Sequence, residues 1–131
     1  MRVRTCLVLL LCLSACGCGK KATDELIGDL KSSEERDRLI AVRLLPQRKE
    51  DAARVVPALI DALKDRANDI RLSAAIGLGY FGEQARDAVP ALQAAQRDRD
   101  ARVREQASVA LARIDPHRFP APSRSRPARG K

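Results

Sequence analysis

The residues able to do chemistry in this 131-residue chain are four cysteines, a single histidine and seventeen carboxylates. A hydrolytic triad or a cysteine–histidine pair needs a base held against its nucleophile. The single histidine, His117, stands at the head of a run of proline, serine and arginine. A zinc site draws its ligands from cysteine, histidine and carboxylate held together, and Cys6, Cys12, Cys16 and Cys18 all lie far along the chain from that histidine. Carboxylates remain, for instance Asp61 with Asp65 and Asp98 with Asp100. With no second ligand class beside them, they read as solvated helix charge. The glycines fall at the ends of apolar runs and form no phosphate-cradling loop. The expectation is a protein that is not an enzyme and carries no metal or cofactor.

The cysteines suggest a different use. Met1 to Thr5 is short and basic, and Cys6 to Leu13 is an apolar run far below the ~20 residues of a spanning helix, so residues 1–15 read as a signal peptide. The stretch Leu13-Ser14-Ala15-Cys16 resembles the lipobox of bacterial lipoproteins. That resemblance implies cleavage before Cys16, a diacylglycerol thioether on its sulfur, and an acylated, palmitate-type N-terminus. Two or more acyl chains anchor a protein stably where one does not. An ordinary secretory signal would use the same apolar run without lipid. Gly17 is not the aspartate that retains lipoproteins in some inner membranes, so the expected address is the bacterial envelope, at the outer membrane facing the periplasm. Residues 16–23 become a tether in which Cys18 is the remaining thiol, without an intramolecular partner.

A formal charge of +8 first suggests nucleic acid, but its distribution argues otherwise. Of the 25 basic residues, two lie in the signal, two in the tether and five in residues 117–131, leaving 16 in the body against all 17 acids. The body is almost neutral. The tail, with Arg118, Arg124, Arg126, Arg129 and Lys131 and no acid, reads as disordered. Export sets nucleic acid aside, while anionic lipid or cell-wall polymer stays open for the tail.

The elements between the ends come from a repeat of 33 residues. Pro57-Ala58-Leu59 recurs as Pro90-Ala91-Leu92, Asp65 as Asp98, Ile70-Arg71 as Val103-Arg104, and Ala74 and Leu78 as Ala107 and Leu111. The same step backwards finds Leu26, Arg38, Ala41 and Leu45. Aromatic residues are 2% of the chain, and the Ala, Leu, Val and Ile content suits closely packed helices. The pattern predicts an all-α chain of three helical hairpins, 24–56, 57–89 and 90–116. Ser32 with Glu35 has the form of a capping box, Pro46 and Asp115-Pro116 stop helices, Asp87 can cap the segment before Pro90, and Gly79 to Gly82 permit the left-handed conformation that closes a helix.

These units resemble HEAT repeats in their short, phycobilisome-lyase-type form: Val-Pro-Ala-Leu opening helix A, Asp closing it, then Val/Ile-Arg, Ala-Ala and Gly-Leu-Gly along helix B. Thr-Pro-Leu-His and tryptophan, marks of ankyrin and tetratricopeptide arrays, are absent from the sequence. The resemblance implies a short α-solenoid with a ladder between units. On it Asp65 pairs with Arg71 and Asp98 with Arg104, and Ser32 breaks the pair with Arg38. It also implies a concave face formed by the B helices, with Ile40, Arg43, Leu72, Ser73, Ile76, Gln106 and Val109 pointing into it, beside Leu39 and Glu105. Apolar residues there suit an interaction surface; one helical step out of phase, they would face the core. Tyr80 and Phe81 read as a plug between units. The functional expectation is a membrane-anchored scaffold for a protein or peptide partner. The alternatives are a lyase-like enzyme or accessory subunit, or an anionic-polymer binder acting through the tail.

Overall fold

The computed structural model describes residues 21–121; the signal, Cys16 and Cys18, and all but the first residues of the tail lie outside that span. Six α-helices follow one another: α1 (Thr23–Asp29), α2 (Glu35–Leu44), α3 (Ala52–Ala62), α4 (Asn68–Phe81), α5 (Val89–Ala95) and α6 (Ala101–Ile114). Short 3-10 turns, Leu45–Gln47, Lys49–Asp51 and Gly82–Ala88, link the hairpins. No strand occurs among the described residues. The chain is a short all-α solenoid.

The period explains why hairpins stack. Leu26, Leu59 and Leu92 occupy one position of α1, α3 and α5, and Leu45, Leu78 and Leu111 occupy one position at or near the ends of α2, α4 and α6; all six are fully buried. Each hairpin therefore contributes a leucine pair to one continuous core, and no unit could bury its apolar stripe alone. The second helices pack side by side, α4 between α2 and α6. Small residues set that spacing. A Cβ on Gly77 would lie 2.7 Å from the ring of Pro46, and one on Gly79 would lie 3.3 Å from the Ala110 backbone.

Several local expectations need correction. Ser32 and Glu35 do not form a capping box: Glu34 is the N-cap of α2, and the Ser32 hydroxyl accepts from the Glu34 N–H at 3.1 Å and donates to Asp37 at 3.2 Å. Asp87 caps nothing; it is exposed in a 3-10 segment that runs directly into α5. Pro57 sits inside α3, whereas its counterpart Pro90 stands in the first turn of α5. The missing proline N–H is harmless at a first turn, and unit three takes that solution. Gly82 alone among the described glycines has a positive φ, 53°, and closes α4. Gly79 lies within that helix, where its role is close packing.

Candidate functional site

Among the described residues two charged side chains are buried beside the core, Arg38 and Arg71, each 5% exposed. Burial of an arginine costs heavily unless its donors are met. Both are met in the same way. Arg71 Nε and Nη2 donate to Asp98 Oδ2 and Oδ1 at 2.8 and 2.9 Å, and Nη1 donates to the carbonyls of Asp65 and Arg66 at 2.9 and 3.2 Å. Arg38 makes the corresponding bonds to Asp65, at 2.8 and 3.3 Å, and to the carbonyls of Ser32 and Ser33.

This displaces the expected ladder by one unit. Asp65 with Arg71, and Asp98 with Arg104, are joined through the aspartate's carbonyl; each carboxylate reaches back 27 residues to the arginine of the preceding unit. The physical reason is direction: the carboxylate points back to the arginine of the preceding hairpin, and the arginine of its own unit meets the aspartate's backbone carbonyl instead. Asp65 Oδ1 also accepts the Ala67 N–H, and Asp98 Oδ1 the Asp100 N–H, each at 2.8 Å, which fixes the turn into the B helix. Ser32 does that turn's work with a hydroxyl, so it keeps the local bond and loses only the carboxylate. Arg38 is therefore fully paired. Arg104 is the open rung: Nη1 holds the carbonyls of Asp98 and Arg99 at 2.8 and 3.2 Å, and it meets no carboxylate among the described residues.

Ionisation follows the geometry. The Arg71 fork holds the Asp98 carboxyl below the usual carboxylate range against the opposing effect of burial. Burial pushes Asp65 upward, but the hydrogen bonds from Arg38 and the Ala67 N–H prevail and its pKa is lowered. Asp100, bonded by Arg102, Asn68 and the Arg102 N–H, is lowered as well. The carboxylate pairs Asp61/Asp65 and Asp98/Asp100 are thus divided among different partners, with Asp61 left exposed.

The outward face of the B helices is where an open surface lies. An open groove of about 620 Å³ between α2 and α4 is lined by Arg43, Pro46, Gln47, Lys49, Leu72, Ser73, Ile76 and Tyr80. Arg43, Leu72, Ser73 and Ile76 meet in it. Ile40, Gln106 and Val109 do not line it: Ile40 is 44% exposed on α2, and Gln106 and Val109 are half-buried on α6. Pro46, Lys49 and Tyr80 were missed by sequence reasoning. Tyr80 is not a plug. Phe81 is buried, while Tyr80 is 59% exposed with the Arg113 guanidinium 5.8 Å from its ring centroid. Adjacent in sequence, the two aromatics are about 100° apart on the helix and meet opposite environments.

Stacked hairpins, a buried arginine–aspartate ladder and an open groove on the second-helix layer define the class as a helical-repeat solenoid. The chain belongs to the HEAT-repeat family, whose profile matches residues 23–112. Among solved structures it is similar to a chain in the complex of CpcE and CpcF of phycocyanin lyase from Nostoc sp. PCC7120, with 30% identity and a TM-score of 0.66. The match covers 76% of this chain and only 40% of that one. No curated protein matches significantly.

Proposed function

We propose that this protein is an envelope-anchored repeat scaffold that holds a protein partner on the face of its second helices. The observation that carries the reading is the groove between α2 and α4, where Leu72 and Ile76 stay half-buried and Tyr80 exposed, uncovered by the described residues. Solvent alone would favour polar residues at those positions. A photo-reactive amino acid at Ile76 should give a discrete protein adduct in the native cells, and one at Gln93, exposed on α5, should not. Equal labelling from both positions would remove the groove from the account.

The anchor rests on Leu13-Ser14-Ala15-Cys16. Membrane-extracted protein should have the mass of a chain beginning at Cys16 plus acyl groups. Cys16→Ala should lose both that mass and the membrane association. An unprocessed, unmodified chain would overturn the anchoring and the envelope address together.

A second reading, a non-catalytic or catalytic subunit of a lyase, is favoured by the likeness to the phycocyanin lyase complex. It differs in its expected partner, which would be a second subunit of the same lyase.

A further inference from the structure

The outward positions of the three B helices follow from the repeat. On α2 and the 3-10 turn that continues it they are Arg36, Ile40, Arg43 and Gln47, at the i, i+4, i+7 and i+11 spacing of one helical face. A step of 33 residues carries them to Asp69, Ser73, Ile76 and Tyr80, and again to Arg102, Gln106, Val109 and Arg113. The body of the protein is almost neutral, yet this face has four arginines against Asp69, with Glu105 beside it; Arg102 is paired with Asp69 and Asp100, each at 3.1 Å. Arg43 and Lys49 stand exposed at the groove itself, and Arg113, on α6 and not lining the groove, has its guanidinium 5.8 Å from the Tyr80 ring centroid.

From this arrangement we infer that the groove takes an acidic amphipathic segment of a partner protein, with apolar side chains seated on Leu72, Ile76 and Tyr80 and carboxylates on Arg43, Lys49 and Arg113. The inference rests on the scaffold reading and names the chemistry of its partner. Two features select this occupant. The cations favour carboxylates by complementarity, which raises association rate and suppresses basic competitors. The apolar floor favours a polypeptide with spaced hydrophobic side chains over a lipid headgroup, a cell-wall polyanion or a nucleic acid, none of which would cover Ile76. Helix-in-groove recognition of this kind reads anchors one helical turn apart. The protein's own tail fails the same criterion, since residues 117–131 carry only positive charge.

The test uses the full-length chain and a fluorescent 16-residue probe peptide with leucines at one-turn spacing and glutamates between them. Binding is followed by anisotropy at low and moderate salt. The acidic peptide should bind, and Arg43→Glu and Ile76→Ser should each weaken it at least tenfold while the helical circular dichroism is unchanged. A peptide with lysines for glutamates should fail on the unaltered protein and gain affinity on Arg43→Glu/Lys49→Glu. Polyglutamate, a single-stranded oligonucleotide or phosphatidylglycerol vesicles binding as well as the peptide, and insensitive to Ile76→Ser, would overturn the proposal in favour of a simple polyanion surface. Absence of peptide binding would overturn it too. If adducts at Ile76 persisted in that event, the scaffold would stand with a partner of other chemistry; if they were also absent, both readings would fall.

Discussion

Replacing Arg71 with alanine is expected to cost about 3 kcal/mol of folding stability, because it removes a buried cation and strands the half-buried Asp98 carboxylate whose fork of donors is gone. Asp98 would keep only the Asp100 N–H, and the carbonyls of Asp65 and Arg66 would lose their shared donor. Arg104→Ala removes the same residue type from the same repeat position, but no carboxylate depends on it and the side chain is exposed. Its loss should be less than half as large. Urea denaturation of the two variants decides the matter, and equal losses would mean the ladder's carboxylates contribute nothing. The pH dependence has a definite sign. Asp98 titrates lower in the folded chain than in the unfolded one, so its contribution is complete above about pH 4, near the unfolded aspartate value. It disappears as pH falls further, through the depressed folded value. The gap between the unaltered chain and Arg71→Ala should therefore narrow only below about pH 4. Replacing Arg71 and Asp98 together by Met and Leu should recover much of the loss, since removal of a whole buried pair leaves no stranded charge.

The second large effect is steric. Gly77→Val should destabilise by about 3 kcal/mol, a fall of roughly 15 °C in melting temperature for a domain near this size. Its Cβ would stand 2.7 Å from Pro46 Cγ and 3.2 Å from Leu59 Cδ1. A proline ring cannot rotate aside, so α2 and α4 would have to separate. Gly28 provides the control, since nothing lies within 4 Å of a Cβ built there. Gly28→Ala should stabilise by ~0.5–1 kcal/mol through helix propensity alone. Tolerance at Gly77 would show that the spacing of the B helices is not set by this glycine, and a loss at Gly28 would mean that helix propensity does not govern that open position.

The ladder shows where reading the chain in one dimension fails. A six-residue separation puts Asp65 and Arg71 in contact, and they are in contact, but through a carbonyl. Which oxygen is used depends on what approaches from the neighbouring hairpin, and that has no local signature. Ser32 carries the same lesson. As a departure from the repeat it suggested a broken pair, yet it preserves the turn bond to Glu34 and leaves Arg38 with its own partner 27 residues on.

Tyr80 illustrates the limit for the groove. Its neighbour Phe81 is buried by the same helix that exposes it, and only the direction of approach of α2 and α6 distinguishes them. Lys49 and Pro46 join the groove from the link between α2 and α3, a segment whose path the period does not describe.

The amino-acid sequence by itself determined the 33-residue unit, the two helices in each unit and their buried leucines, because hydrophobic burial at helical spacing is a local, repeating demand. The tertiary structure alone decided the ladder's partners, the exposure of Tyr80 and the joining of Arg43, Lys49 and Ile76 around one groove. Those depend on the distance and angle between hairpins, set by contacts such as Gly77 on Pro46 and Gly79 on Ala110, where two surfaces far apart along the chain must fit together.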